Sequence, residues 1–240
     1  MATLLVIKTG SSLPSLVARR KDFEVWIGTG CGVPAHDLQV VSVFQDEALP
    51  EVRGVQGVVV SGSASMVTDR AAWSERTAEW LREAVASEVP VLGICYGHQL
   101  LAHALGGEVG YNPRGRNLGT IDVQLKPDAK RDRLFGVFGA DLHVPVSHLQ
   151  SVLTLPPGAT LLAESARDPH HAFRYGQSAW GVQFHPEFDA NILRAYVDAK
   201  RAALKDEGID AEAISNDAID SADGTILLRR FTDIVRRRNL

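Results

Sequence analysis

Cysteine is scarce in this chain. Only Cys31 and Cys95 occur in 240 residues, and no C-x-x-C pair is present. That argues against a structural zinc module or a dithiol redox motif, and two thiols so far apart fit a reducing, cytoplasmic setting. Long apolar runs are missing too: none approaches the ~18 residues of a membrane span. The opening MATLLVIKTG has neither a basic leader nor an extended apolar stretch, so it reads as a first strand and not as a signal peptide. Excess positive charge is also lacking. Lys+Arg 25 against Asp+Glu 29 leaves −4, which does not suit a protein that coats nucleic acid or an anionic membrane. There is no internal repeat and no low-complexity tract.

What remains is an ordinary globular balance, 45% hydrophobic and 22% charged. A chain of this length buries a sizeable core without metal or disulfide staples. Short apolar, β-branched runs at Thr3–Ile7, Leu38–Phe44, Val55–Ser61 and Val89–Ile94 read as strands. Helical spacing appears between them, over Asp22–Gly30 and Trp73–Ser87, and again over Gln99–Leu105. Alternating strands and helices predict a three-layer α/β fold with a mostly parallel central sheet. From about Gly119 to Trp180 the pattern changes to short runs with many turns, which reads as an antiparallel portion before a last strand, Trp180–Phe184. Asn191–Leu204 and Thr225–Arg238 read as helices, with an acidic loop over Asp206–Asp223. The expected division is a domain over 1–190 and a helical extension over 191–240, packed on that domain.

The strongest chemical signal is Gly93-Ile94-Cys95-Tyr96-Gly97, between an apolar strand and a helix. This is a nucleophile elbow with Cys in the place of Ser. The glycines allow a tight turn that presents the thiol. The helix N-terminus favours its thiolate, and nearby N–H groups can hold an oxyanion. The competing reading is a buried core thiol, the usual fate of a free cysteine. A thiolate nucleophile needs a base. Of eight histidines, His36, His143, His170 and His171 fall in expected loops with no partner pattern. His185 follows the last strand in Phe184-His185-Pro186-Glu187, where Pro186 favours an extended backbone and Glu187 can turn back to orient the imidazole.

Together, G-I-C-Y-G-H-Q-L-L-A from Gly93 and G-V-Q-F-H-P-E from Gly181 resemble the class I, triad-type glutamine amidotransferases, over roughly residues 3 to 188. Within that family the chain is most similar to the glutaminase domain of GMP synthase and its stand-alone relatives. The resemblance implies a flavodoxin-like fold and an enzyme that converts glutamine to glutamate and ammonia. Cys95 would attack the γ-amide, His185 would act as base and then acid, and Glu187 would orient His185. It further implies oxyanion donors at the Gly62 and Tyr96 N–H groups. Gln99 would contact substrate, and Ser147-His148-Leu149-Gln150 would hold the α-amino and α-carboxyl groups. No cofactor and no metal are implied. The Ser-Gly-Gly-x-Asp-Ser loop of GMP synthase is missing, so ammonia would need an acceptor subunit in trans. Alternatively the chain hydrolyses γ-glutamyl peptides or amides outright, or serves as a catalytically quiet regulatory module.

Three departures from the family pattern stand out. Ala64 follows Ser61-Gly62-Ser63 where relatives carry a second Gly or Gly-Pro, which limits how that loop forms the oxyanion hole. Leu149 replaces a common Gly and narrows the glutamine pocket. Arg116-Asn117-Leu118-Gly119 stands where relatives often have Arg-Glu-x-Gly, which removes a polar contact. Other features have plain readings. Asp22 and Glu24 read as capping charges, Trp73 and Trp80 as packing residues, and the basic end of the last helix as a solvated dipole partner or a partner for the acidic loop. His98 and His103, five residues apart, share no helix face for a metal.

Overall fold

The computed structural model describes residues 4–238. Thr3, the expected start of the first strand, lies outside the described residues. β1 (Leu4–Lys8) pairs in parallel with β2 (Leu38–Ser42) and β3 (Val58–Val60), and β3 pairs in parallel with β4 (Val91–Ile94). β5 (Glu108–Tyr111), β6 (Asn117–Leu125), β7 (Asp141–His148), β8 (Gln150–Thr154), β9 (Thr160–Glu164), β10 (Ala172–Tyr175) and β11 (Ala179–Val182) follow. The large sheet has the order β2-β1-β3-β4-β11-β10-β9-β6-β7, and β5 and β8 form a separate ribbon. β11 runs parallel beside β4, and beyond it the sheet is antiparallel.

Both faces of the sheet are covered at β1, β3 and β4, as these apolar strands require, while β2 is a partly exposed edge. Leu4 and Val6 of β1 face one core, while Leu5 and Ile7 face the other. The second core is closed by α3 (Ala72–Ala86) and α4 (Tyr96–Ala104) through Ala78, Leu81, Leu100 and Leu101. The first is closed by α2 (Phe23–Cys31) and by the last helix, which contribute Ile27, Leu228, Phe231 and Val235. This is the expected three-layer fold with helices at its C-terminal end.

The local differences have physical causes. α1 (Pro14–Arg20) has no signature in the sequence pattern, because it buries only Leu16 and so carries no apolar period. α4 begins at Tyr96, three residues before the expected start, because Cys95 O already accepts from Gln99 N at 3.1 Å. The helix expected over 191–204 is two, α5 (Ala190–Ala199) and α6 (Arg201–Asp206), parted at Lys200. The expected acidic loop instead contains α7 (Ala211–Asn216) and the first residues of α8 (Ala222–Arg237). Its carboxylates serve backbone amides. Asp210 caps α7 at Glu212 N and Ala213 N, Asp220 accepts from Ala190 N, and Asp223 accepts from His143 N. The basic end of α8 bonds elsewhere: Arg230 reaches Arg133 O and Arg238 reaches Ser87 O. Trp73 and Trp80 pack, the first against Tyr96 and the second with its indole N–H on Pro50 O.

Candidate active site

Cys95 sits between β4 and α4 with φ 51° and ψ −100°. A non-glycine residue is held there only when its surroundings enforce it. The enforcement is visible on both sides. A Cβ on Gly93 would run into Gly97 O, and one on Gly97 would run into Val60 O, so only glycine permits the turn. Cys95 N donates to Val182 O at 2.9 Å. That bond explains the meeting of two distant segments. Ile94 and Val182 are register partners on neighbouring parallel strands, so Cys95 and the His185 segment leave the sheet at the same C-terminal edge.

His185 is buried, and its backbone N–H is fixed to Pro145 O at 2.9 Å. Nδ1 lies 2.8 Å from Glu187 Oε1, which leaves Nε2 for the sulfur. The ring stacks on Phe188 with centroids 4.0 Å apart. Burial lowers the pKa of this imidazole, but the Glu187 carboxylate and the Cys95 sulfur outweigh it and raise the value to about 10. The two cysteines are both free but differ in kind. Burial pushes the Cys31 thiol up to about 12, with Thr232 bonding against that trend, so Cys31 is an inert core thiol.

Gly62 lies at the tip of β3, packed against His185 Cε1. Thr9 Oγ1 donates to Ser61 O at 3.0 Å and to Gly62 O at 3.1 Å, and Ser63 Oγ donates to Thr9 O at 2.8 Å. In a trans peptide the N–H points opposite the carbonyl, so this clamp turns the Gly62 and Ser63 N–H groups away from Thr9. Ala64 is outside the left-handed region, so its substitution for glycine imposes no backbone strain on the loop. Tyr96 N–H belongs to the first turn of α4, where amides have no intrahelical partner. Its phenol is spent on Ser74 Oγ at 2.7 Å.

Ser63, Cys95, Tyr96 and His185 open on a cavity of about 440 Å³. Gln99, Ser147, His148, Leu149 and Gln150 all line it. Ser147 O stands 3.9 Å from Cys95 Sγ. Gln99 Nε2 donates to Gln150 O at 2.6 Å and to Gln183 Oε1 at 3.0 Å, so its amino end is engaged with protein. Gln150 Oε1 is buried without a partner among the described residues. His148 differs from expectation: its imidazole Nε2 faces Asp168, 3.4 Å away, and both are sealed from solvent. Burial lifts the Asp168 pKa, but His148, His171 and Ser151 together hold it below the usual carboxylate range. His171, expected in a featureless loop, is fully buried beside them and against Phe184. Sequence reasoning missed Asp168, and it also missed Tyr196 and Lys200 of the C-terminal helices, which line the cavity. Among the described residues, no group of three or more His, Cys, Asp or Glu is placed to hold a metal ion. No described helix is long and apolar enough to cross a membrane.

The family model described as "Glutamine amidotransferase class-I" matches residues 32–197. The chain is 35% identical over 190 residues to a GMP synthase (glutamine-hydrolysing) of Alteromonas mediterranea, covering 77% of this chain and 33% of the relative. It thus spans about a third of the length of that curated relative. It is 33% identical to a GMP synthase (glutamine-hydrolysing) subunit of Archaeoglobus fulgidus, over 68% of this chain and 86% of that one. A γ-glutamyl peptidase 3 of Arabidopsis thaliana is 34% identical over 59% of this chain and 58% of its own. A glutamine amidotransferase crystal structure from Thermotoga maritima superposes with a TM-score of 0.75 at 22% identity, covering 98% of this chain and 99% of that one, which shows a shared fold. The chain belongs to the class-I glutamine amidotransferase family.

Proposed function

We propose that this chain hydrolyses the side-chain amide of glutamine, or a related γ-glutamyl amide, through a thioester on Cys95. The Cys95 thiolate adds to the γ-carbonyl carbon. The developing oxyanion is taken by the N–H groups of Gly62 and Tyr96, each such donor being worth ~10²–10³ in rate. His185 passes its proton to the departing nitrogen, and the C–N bond breaks. His185 then takes a proton from water as the water attacks the thioester, releasing glutamate. Glu187 holds the imidazole in the tautomer this shuttle needs. A well-placed base contributes ~10²–10⁴-fold. Gln99 and the Ser147–Gln150 corner hold the amino-acid end of the substrate.

The supporting observation is the imidazole of His185, flanked by the Cys95 sulfur and the Glu187 carboxylate and raised to a pKa of about 10. When glutamine is the substrate, ammonia goes to an acceptor enzyme in trans, as the likeness to a GMP synthase subunit suggests. Direct hydrolysis of γ-glutamyl peptides is the second reading, favoured by the likeness to a γ-glutamyl peptidase and by the room in the cavity. Glutamate release from glutamine and from γ-glutamyl dipeptides, measured with wild type and Cys95→Ser, tests both. Loss of all release in Cys95→Ser is expected. Wild-type turnover in that variant would refute the mechanism, and a wild-type Cys95 inert to a glutamine-like electrophile would favour a quiet regulatory module.

A further inference from the structure

The charges around the cavity are one-sided. Among the described residues its wall contains Arg116 and Lys200 but no aspartate or glutamate. Lys200 stands at the break between α5 and α6 with Nζ 5.2 Å over the Tyr196 ring, and it has no carboxylate partner among the described residues. Burial and the nearby Arg116 cation both lower its pKa, while the Cys95 sulfur raises it. Arg116 Nε and Nη2 are taken by Glu207 at 2.8–3.2 Å, and Nη1 has no hydrogen-bond partner among the described residues. Two cations thus share one part of the wall, and one of them lacks an anion. Across from His185, the Ser147–Gln150 corner beside the sulfur contributes no carboxylate.

Glutamine matches this wall poorly. It brings one carboxylate and one ammonium, so it leaves a cation unpaired and places its own cation in the same cavity. A substrate with a second carboxylate gives each cation an anion. We propose that the cavity selects γ-glutamyl amides whose leaving amine bears a carboxylate, as γ-glutamyl amino acids and peptides do, and that Lys200 and Arg116 determine this specificity. The proposal rests on the hydrolytic reading above and narrows its substrate class. The reaction balances without a co-reactant: the sulfur–carbon bond forms, the amide C–N bond breaks, and the His185 proton leaves on the amine of the released amino acid. Water then cleaves the thioester to glutamate.

The test uses the full chain and three substrates: γ-glutamylglycine, its neutral isostere γ-glutamylglycinamide, and glutamine. Wild type is expected to show kcat/KM about 10- to 100-fold higher for γ-glutamylglycine than for the glycinamide, mostly through KM, as for a hydrogen-bonded charge. Lys200→Met should reduce that ratio to within about threefold, and Lys200→Arg should keep most of it. A ratio of kcat/KM values is unaffected by the fraction of folded enzyme, so a poorly folding variant does not blur the result. A wild-type ratio near one overturns the proposal while leaving the hydrolytic reading intact. So does a Lys200→Met variant that slows all three substrates equally, since the cation then serves the part common to all. Failure of wild type to turn over any of the three overturns the hydrolytic reading and the proposal with it.

Discussion

Glu187→Gln removes one charge and almost no volume. The Glu187 side chain is sealed from solvent, Oε1 is 2.8 Å from His185 Nδ1, and Oε2 has no hydrogen-bond partner among the described residues. The substitution therefore acts mainly through the imidazole. Burial alone would hold His185 below its ordinary 6.5, and the Glu187 charge is the largest influence raising it to about 10. Each tenfold change in the protonation equilibrium is about 1.4 kcal/mol. The raised value thus rests first on this carboxylate, and the imidazolium needs it at neutral pH. Two results follow. The alkaline limb of kcat/KM, near pH 10 in wild type, should move well toward neutrality in Glu187→Gln, with kcat at pH 7.5 reduced ~10²–10⁴-fold. Stability should change in the same sense. A histidine with a raised folded pKa stabilises fully below its unfolded value near 6.5, and that stabilisation is lost as pH rises toward 10. Urea midpoints should therefore fall between pH 6.5 and 10 in wild type and change less in the variant. An unmoved alkaline limb, with activity within twofold of wild type, would refute this account of Glu187.

Three further perturbations probe separate parts of the structure. Gly97→Ala drives a methyl into Val60 O and should cost about 1–3 kcal/mol or more, read from urea unfolding; an unchanged midpoint would mean the elbow is looser than its contacts imply. Thr9→Val removes the hydroxyl that clamps Ser61 O and Gly62 O. It should lower kcat at least ~10-fold with KM within about twofold, since the loop it orients serves the transition state. Asp168→Asn removes the anion shared by His148 and Ser151 and should cost about 1–3 kcal/mol at pH 7. Because the Asp168 pKa is depressed from 3.8, its stabilisation is present above that pH, and the difference from wild type should shrink as the pH falls below it.

The residues legible from sequence were those whose roles are local. Gly93, Cys95 and Gly97 announce an elbow because the clashes that forbid a side chain arise within one turn and its supporting strand. His185 and Glu187 are two residues apart, so their contact needed only a turn after a strand. The inner parallel strands β1, β3 and β4 were readable as apolar runs because both their faces are buried. Residues brought in from distant elements were not readable. Tyr196 lies on a helix whose amphipathic pattern records only its packing, and Lys200 at the break that follows it, so neither reports the cavity it borders. Asp168, in the loop between β9 and β10, meets His148 at the end of β7, a contact that no spacing reports. The acidic stretch before α8 looked like solvated loop because a carboxylate that caps a helix and one that faces water are the same letter.

The central claim is a covalent bond between substrate and Cys95. Acid quenching during turnover of a γ-glutamyl substrate, followed by mass spectrometry of the intact chain and its peptides, reads that bond directly. The account predicts one γ-glutamyl group on the peptide containing Cys95, absent in Cys95→Ser and accumulating when hydrolysis is slowed. Steady release of glutamate with Cys95 unmodified at every time, or with the adduct on Cys31, would contradict it.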